Sequence, residues 1–286
     1  MKKIVFAFTF LFMVVAAMAQ TIEVGTYNIR YNNPDDVSEG NGWKQRCPHI
    51  CEIINFEEPL VMGTQEVLVD QLHDMLDSLP DYSYLGVGRD DGKETGEYAA
   101  IFYRKDRLDV LKDGHFWLSQ TPDKPSLGWD AACIRICTWA QFKDKETKRK
   151  FWFFNLHMDH VGVVARRESA KLVISRIKSL VKDDEPVVLT GDFNVDQHDE
   201  IYGIFSKSGI LKDCYANAKM KMANTCTWND FMQDKMNDNR IDHIFVSPSV
   251  SVDRYAILTE SYWLGNTRRN PSDHYPVMVK VSLDNH

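Results

Sequence analysis

Hydrophobic and polar positions along this chain follow two periods. Apolar or alternating runs of strand character occur at "TIEVGTYNIR" (21–30), "PLVMGTQE" (59–66), "EYAAIFYR" (97–104), "RLDVLKDGHFWLS" (107–119) and "CIRICTWAQF" (133–142), and again at "FWFFNLHM" (151–158), "PVVLTGDFN" (186–194) and "RIDHIFVS" (240–247). Their β-branched and aromatic content supports that assignment. In the last run Val277, Val279 and Val281 alternate with Met278, Lys280 and Ser282, which predicts a strand with one buried face. Between these runs the spacing changes to that of helices. Trp43, Cys47, Ile50, Cys51 and Ile54 form one stripe, and Leu68, Leu72, Met75, Leu76 and Leu79 a second. Ala170, Val173, Ile174, Ile177, Leu180 and Val181 form a third. The charged stretch "KETKRK" (145–150) predicts a hairpin tip. Apolar strands interleaved with amphipathic helices predict a layered α/β architecture, with sheets inside and helices outside.

The first residues do not belong to this pattern. Lys2 and Lys3, an apolar run from Ile4 to Val15 and the small-residue site Ala17-Met18-Ala19 predict a cleavable signal peptide over residues 1–19, hence a secreted or periplasmic protein. The apolar run is short for a membrane span, so no stable membrane anchor is expected. No linker, repeat or low-complexity tract divides residues 20–286, which read as one domain. Cleavage removes two lysines and no acid, so the formal charge of −7 becomes −9. Such a chain offers no general basic surface for long nucleic acid. Export makes disulfides possible, and Cys214–Cys226 is the best candidate pair among six cysteines.

Polar residues recur where the strands end. Asn28 closes the first run, Gln65 and Glu66 the second. His157, Asp159 and His160 follow "FWFFN", and Asp192 and Asn194 follow "VVLTG". Asp242 opens a short strand, and Asp273 and His274 precede the last one. One acid beyond a strand is a turn residue; recurrence at so many core strands predicts a site built at one sheet edge. Carboxylates and amides suit Mg²⁺, with Mn²⁺ or Ca²⁺ as alternatives, and the histidines can carry protons near neutrality. A cation, a base for water and donors around an anionic phosphorus are the parts of phosphoester hydrolysis.

The segments "TYNIR", "TQE", "GRDDGKETGEYAAIFY", "NLHMDH", "GDFN", "RIDHIFVS" and "SDHYPV" stand in the order found in the endonuclease/exonuclease/phosphatase superfamily, and the chain resembles that DNase I-like family from about Thr21 to Val281. The resemblance implies a four-layer sandwich of two packed mixed β-sheets flanked by helices, with the active site at one edge. It implies that Glu66 is the principal metal ligand, with Asn28 and Asp273 beside the same ion. By the same resemblance His274 is the catalytic histidine and Asp242 orients it. Asp192 acts on the attacking water, Asn194 holds the phosphate or the nucleophile, and His157, its ring fixed by Glu97, donates to a phosphate oxygen. Three further residues keep two readings each: Arg89 contacts phosphate or ties its loop, Tyr98 is a cleft donor or a core tyrosine, and Arg166 reaches a second phosphate or forms a surface ion pair. Trp43 and Arg46 read as structural. The implied activity is metal-assisted hydrolysis of a phosphodiester, of nuclease type, on a nucleic acid or nucleotide. The alternatives are hydrolysis of a small phosphorylated molecule (a nucleotide, a sugar or inositol phosphate, or a lipid headgroup) and an inactive binding module. No protein partner is predicted.

Overall fold

The computed structural model describes residues 21–182, 184–235 and 237–283, so the leader expected at 1–19 lies outside the described residues. Two sheets carry the fold. The first has seven strands in the order β10 (Met220–Met222), β12 (Ser251–Ile257), β15 (Val277–Ser282), β1 (Thr21–Asn28), β2 (Val61–Val67), β4 (Tyr98–Arg104) and β3 (Tyr82–Leu85). The second has six, in the order β5 (Leu108–Trp117), β6 (Ile136–Asp144), β7 (Lys150–His157), β8 (Val187–Asp192), β11 (Asp242–Val246) and β9 (Lys212–Asp213). A separate hairpin pairs β13 (Tyr262–Leu264) with β14 (Thr267–Arg269). Both sheets are mixed: β1 is parallel to β2 and β7 to β8, while β1–β15, β6–β7 and β8–β11 are antiparallel.

The sheets pack face to face and helices cover their outer sides. Val24, Val61, Phe142, Phe153, Val188 and Ile244 belong to the core between the sheets. Helices α2 (Trp43–Glu57) and α3 (Val69–Ser78) lay Trp43, Ile50, Ile54, Leu72 and Met75 on the first sheet against Tyr27, Met62 and Phe102. Helix α4 (Val163–Leu180) buries Ala170, Val173 and Ile177 on the second sheet against Trp152, Phe154 and Leu189, with Phe205 of the short α5 (Tyr202–Ser206) beside them. Two further one-turn helices are α1 (Asp35–Ser38) and α6 (Cys214–Asn217). Each fully buried Leu, Ile or Phe in these layers stabilises the fold by about 1.5–3 kcal/mol. This is the four-layer DNase I-like sandwich.

Two expectations are corrected, and one strand was missed. The last strand is buried on both faces except at Lys280: Val277, Val279 and Val281 belong to the cluster between the sheets, and Met278 to the one on the outer face of the first sheet. Strand β12 escaped the periodicity because its register with β15 shifts between Val252 and Arg254, so the buried positions Val252, Tyr255 and Ile257 change phase at the bulge. All six cysteines are free. Cys214 is buried in the inter-sheet core, while the Cys226 thiol donates to the Trp228 carbonyl at 3.2 Å.

Toward one end of the sandwich the space between the sheets becomes polar. Gln65 Nε2 donates to Thr26 Oγ1 at 3.0 Å and to Asn155 Oδ1 at 2.7 Å. Asn155 Nδ2 donates in turn to the Thr64 and Ala100 carbonyls at 2.8 and 2.9 Å, and Thr190 Oγ1 to Asn155 Oδ1 at 3.1 Å. All of these side chains are fully buried. Gly63 makes the approach possible, since a Cβ there would lie 2.3 Å from Thr190 Oγ1 and 2.4 Å from Asn155 Oδ1.

Candidate active site

The polar layer opens into a cleft of about 600 Å³ where the C-terminal ends of β1, β2, β7 and β8 meet the N-terminal ends of β11 and β15. Strand register sets the depth of each group. His157 on β7 and Asp242 on β11 both lie opposite Asp192 on β8, and Asn28 lies opposite Gln65. Glu66 sits where the β2–β4 register shifts, with a left-handed backbone (φ 63°), so the bulge turns its carboxylate away from the sheet and into the cleft. Asn194, also left-handed (φ 50°), folds back so that its backbone N–H donates to Asp192 Oδ1 at 2.9 Å.

The side chains converge. Asn28 Nδ2 donates to Glu66 Oε1 and to Asp192 Oδ2, both at 3.0 Å. His274 Nδ1 is 2.9 Å from Asp242 Oδ2, and its Nε2 lies 3.8 Å from Asp192 Oδ2. Ser272 Oγ donates to the Asn28 carbonyl at 2.7 Å, which draws the Asp273-His274 segment to the end of β1. Residues from six strands and their loops, spread between positions 28 and 274, therefore meet in or directly beneath one cleft.

The electrostatics are those of a desolvated cluster. Burial raises the Asp192 carboxyl to about 7, Asp242 adds to the rise, and His274 opposes it. Burial alone would depress His274, but the Asp242 carboxylate and its hydrogen bond lift the imidazole to about 10. Burial also raises Asp273; His274 opposes this and Glu66 adds to it. His157 is pushed far down by burial and by the guanidiniums of Arg135 and Arg89. A cationic His274 and a neutral His157 thus flank Asp192.

Several expected roles meet a different geometry. The ring of His157 is not fixed by Glu97, whose nearest oxygen is 3.8 Å from Nδ1. Glu97 is instead held in a bidentate pair by Arg89, at 2.5 and 2.9 Å, so Arg89 ties its loop at the cleft wall. His157 Nε2 lies 2.9 Å from Arg135 Nη1, and since a guanidinium has only donors, Nε2 accepts there and is not free to donate. Asn194 spends its amide Nδ2 on the Met158 carbonyl at 2.9 Å. Tyr98 is a core residue whose hydroxyl donates to the Lys93 carbonyl, and Arg166 donates to the Asp159 carbonyl; neither lines the cleft.

Two arginines stand in the cleft that the sequence did not single out. Arg135 spans His157 and His160, each at 2.9 Å, with Asp159 3.5 Å from its Nε. Arg30, left-handed at φ 58°, pairs with Asp36 and lies 3.6 Å from Asp273. An arginine breaking the otherwise uncharged run "CIRIC" was the available signal for Arg135.

The donor set fits a hard divalent cation. Glu66 and Asp273 supply carboxylate oxygens, and their mutual repulsion is what such an ion relieves. Asn28 fits less well, because it turns its amide N–H groups toward both Glu66 and Asp192 while its oxygen accepts from the Arg30 backbone. Ligand atoms of Asp192, Asp242 and His274 also lie within 4.8 Å of one another. There the Nδ1 contact of His274 with Asp242 and the raised imidazole describe a hydrogen-bonded triad rather than a cation cage.

The profile of the Endonuclease/Exonuclease/phosphatase family matches residues 25–274, and the chain belongs to that family of phosphoester hydrolases. Among solved structures it is similar to an endonuclease/exonuclease/phosphatase family protein from Bacteroides thetaiotaomicron, with 47% identity and a TM-score of 0.92 over 94% of this chain and 100% of that one. It is also similar to a mannosyl-6-phosphatase from the same organism, with 48% identity and a TM-score of 0.90 over 91% and 99%. An uncharacterised protein of Acanthamoeba polyphaga mimivirus is 30% identical over 161 residues, 54% of this chain and 60% of that protein. The matched segments span only 60% and 30% of the two curated relatives.

Proposed function

We propose that the chain is a divalent-cation-dependent phosphatase acting on a small polar phosphate monoester, with sugar phosphates as the substrate class. The observation that carries this is one bounded cleft in which Asp192, the His274–Asp242 pair and Arg30, Arg89 and Arg135 converge. A monoester is nearly dianionic, and clustered guanidiniums and an imidazolium suit such a charge. The 48% identical mannosyl-6-phosphatase supports the same class. An acidic chain gives a long polymer little electrostatic grip, which weighs against the nuclease-type reading.

Glu66 and Asp273 would hold the cation, which when bound offsets charge on a phosphoryl oxygen. Asp192, titrating near 7, accepts the proton of the attacking water. The His274 imidazolium, steadied by Asp242, stabilises the anionic phosphorus centre and returns a proton to the departing alcohol. Arg135 meets the remaining phosphoryl oxygens. The expected leader places this reaction outside the cytoplasm, which cell fractionation checks.

Phosphate release from mannose 6-phosphate, glucose 6-phosphate and a nucleoside monophosphate, beside cleavage of bis-nitrophenyl phosphate and an oligonucleotide, tests the proposal. With Mg²⁺ the best sugar phosphate should exceed the diesters in kcat/KM by about tenfold or more, and chelation should abolish turnover. Preference for the diester or the oligonucleotide would overturn it.

A further inference from the structure

The ladder between β1 and β15 stops at Thr26 and Val277. Beyond that point the two segments are no longer paired, one carrying Asn28 and Arg30, the other Asp273 and His274. Something other than strand pairing must fix the separation of these four side chains. Ser272 Oγ supplies one tie, to the Asn28 carbonyl.

The larger tie is Arg46. It lies in the first turn of α2 with no exposed surface, and each of its five N–H donors meets a backbone carbonyl. Nε donates to Asn41 at 2.7 Å, Nη1 to Ile29 at 2.6 Å and to Pro271 at 3.1 Å, and Nη2 to Arg30 at 3.0 Å and Tyr31 at 3.3 Å. Its guanidinium also lies over Trp43 and Phe231, at 5.4 and 5.7 Å from the ring centroids. Phe231 lines the cleft. Burying a cation among neutral dipoles is expensive, and a smaller core side chain would fill the space with less strain on the charge balance. What no smaller side chain can do is grip residues 29–31 and residue 271 with one rigid planar fork.

We infer that Arg46 is a positioning residue for the reaction proposed above: it sets the distance between the Asn28–Arg30 corner and the Asp273-His274 segment, and hence the geometry of the cleft where cation and phosphate meet. Arg46 touches neither substrate nor reacting atoms. It acts through the carbonyls that it holds.

Arg46→Lys keeps the charge but offers three donors on a flexible stem. The expected result is a fall in kcat of about 10²-fold with KM within about threefold of the parent, the pattern of misplaced groups in a site that still binds. Ile50→Val, a change of one methyl group in the same helix, serves as the control for mere destabilisation and should leave that split unmoved. Amide hydrogen exchange supplies a readout independent of turnover. In Arg46→Lys, residues 29–31 and 272–275 should exchange faster together, while β8 keeps its protection. Should that variant fail to fold, Ser272→Ala removes the companion tie and should give the same joint change at smaller size. If kcat is retained, or the two segments do not respond together, Arg46 is only a fold residue. If the segments respond but no phosphomonoester is turned over by the parent, the positioning stands and the substrate assignment fails.

Discussion

Along β1, β2, β7 and β8 the inter-sheet space begins with Val24, Val61, Phe153 and Val188 and ends with Thr26, Gln65, Asn155 and Thr190. Both halves are fully buried, and the same strands build both. In the apolar half burial is favourable in itself and any well-packed side chain of the right volume will serve. In the polar half burial is unfavourable until every donor and acceptor finds a partner, which allows few arrangements. That narrowness suits a reaction site: it fixes the floor beneath Asp192, and the same loss of water moves Asp192 up to about 7.

The contrast can be broken at several points. His274→Ala should lower phosphate release by about 10²–10⁴-fold when read on the folded fraction, and because it leaves the buried Asp242 carboxylate without its imidazolium it should lower the melting temperature as well. Turnover within tenfold of the parent would remove His274 from its role. Phe153→Ala, in the apolar half, should destabilise by about 3–5 kcal/mol in denaturant titrations while the folded fraction keeps its kcat. Asn155→Leu should reverse that pattern. It removes one hydrogen bond each from the Thr64 and Ala100 carbonyls and from the Gln65 amide, for a loss of about 1–3 kcal/mol, yet kcat should fall. If Asn155→Leu spared kcat, the polar layer would be a packing device only.

The pH dependence of stability tests the same half more gently. Asp192 and His274 both hold a proton more tightly in the folded chain than in the unfolded one, so the folded state retains protons that the unfolded state has shed. In chelator, stability should therefore fall as the pH climbs from about 4, where an unfolded Asp ionises, through about 7 and on toward about 10. Melting temperatures that rose over that range would contradict the assignment. The smallest effect is expected from Tyr98→Phe, about 1 kcal/mol for its hydrogen bond to Lys93, with no change in kcat.

Much of this could be read from the chain because the core strands are nearly uninterrupted apolar runs, so a polar residue at their ends stands out. Asn28, Glu66, Asp192, Asp242, Asp273 and His274 were visible for that reason, and they do meet. What stayed hidden obeys no local period. A bulge shifts the phase of β12, and the hairpin β13–β14 is mostly exposed. Arg30 and Arg135 look like surface charges until tertiary contacts place them in the cleft. Partner choice was equally unreadable: Glu97 lies eight residues from Arg89 and takes it in preference to His157. A guanidinium fork competes better for a carboxylate than a neutral imidazole does.

Gly63 lets Thr190 and Asn155 of the second sheet come up against the backbone of the first. Each sheet brings half of the reacting groups, Glu66 and Asp273 from one and Asp192 and Asp242 from the other, so the gap at this missing side chain is also the bite of the active site. Even a methyl group there would act as a wedge driven between two jaws, and the enzyme would lose its grip from a residue that never faces the substrate.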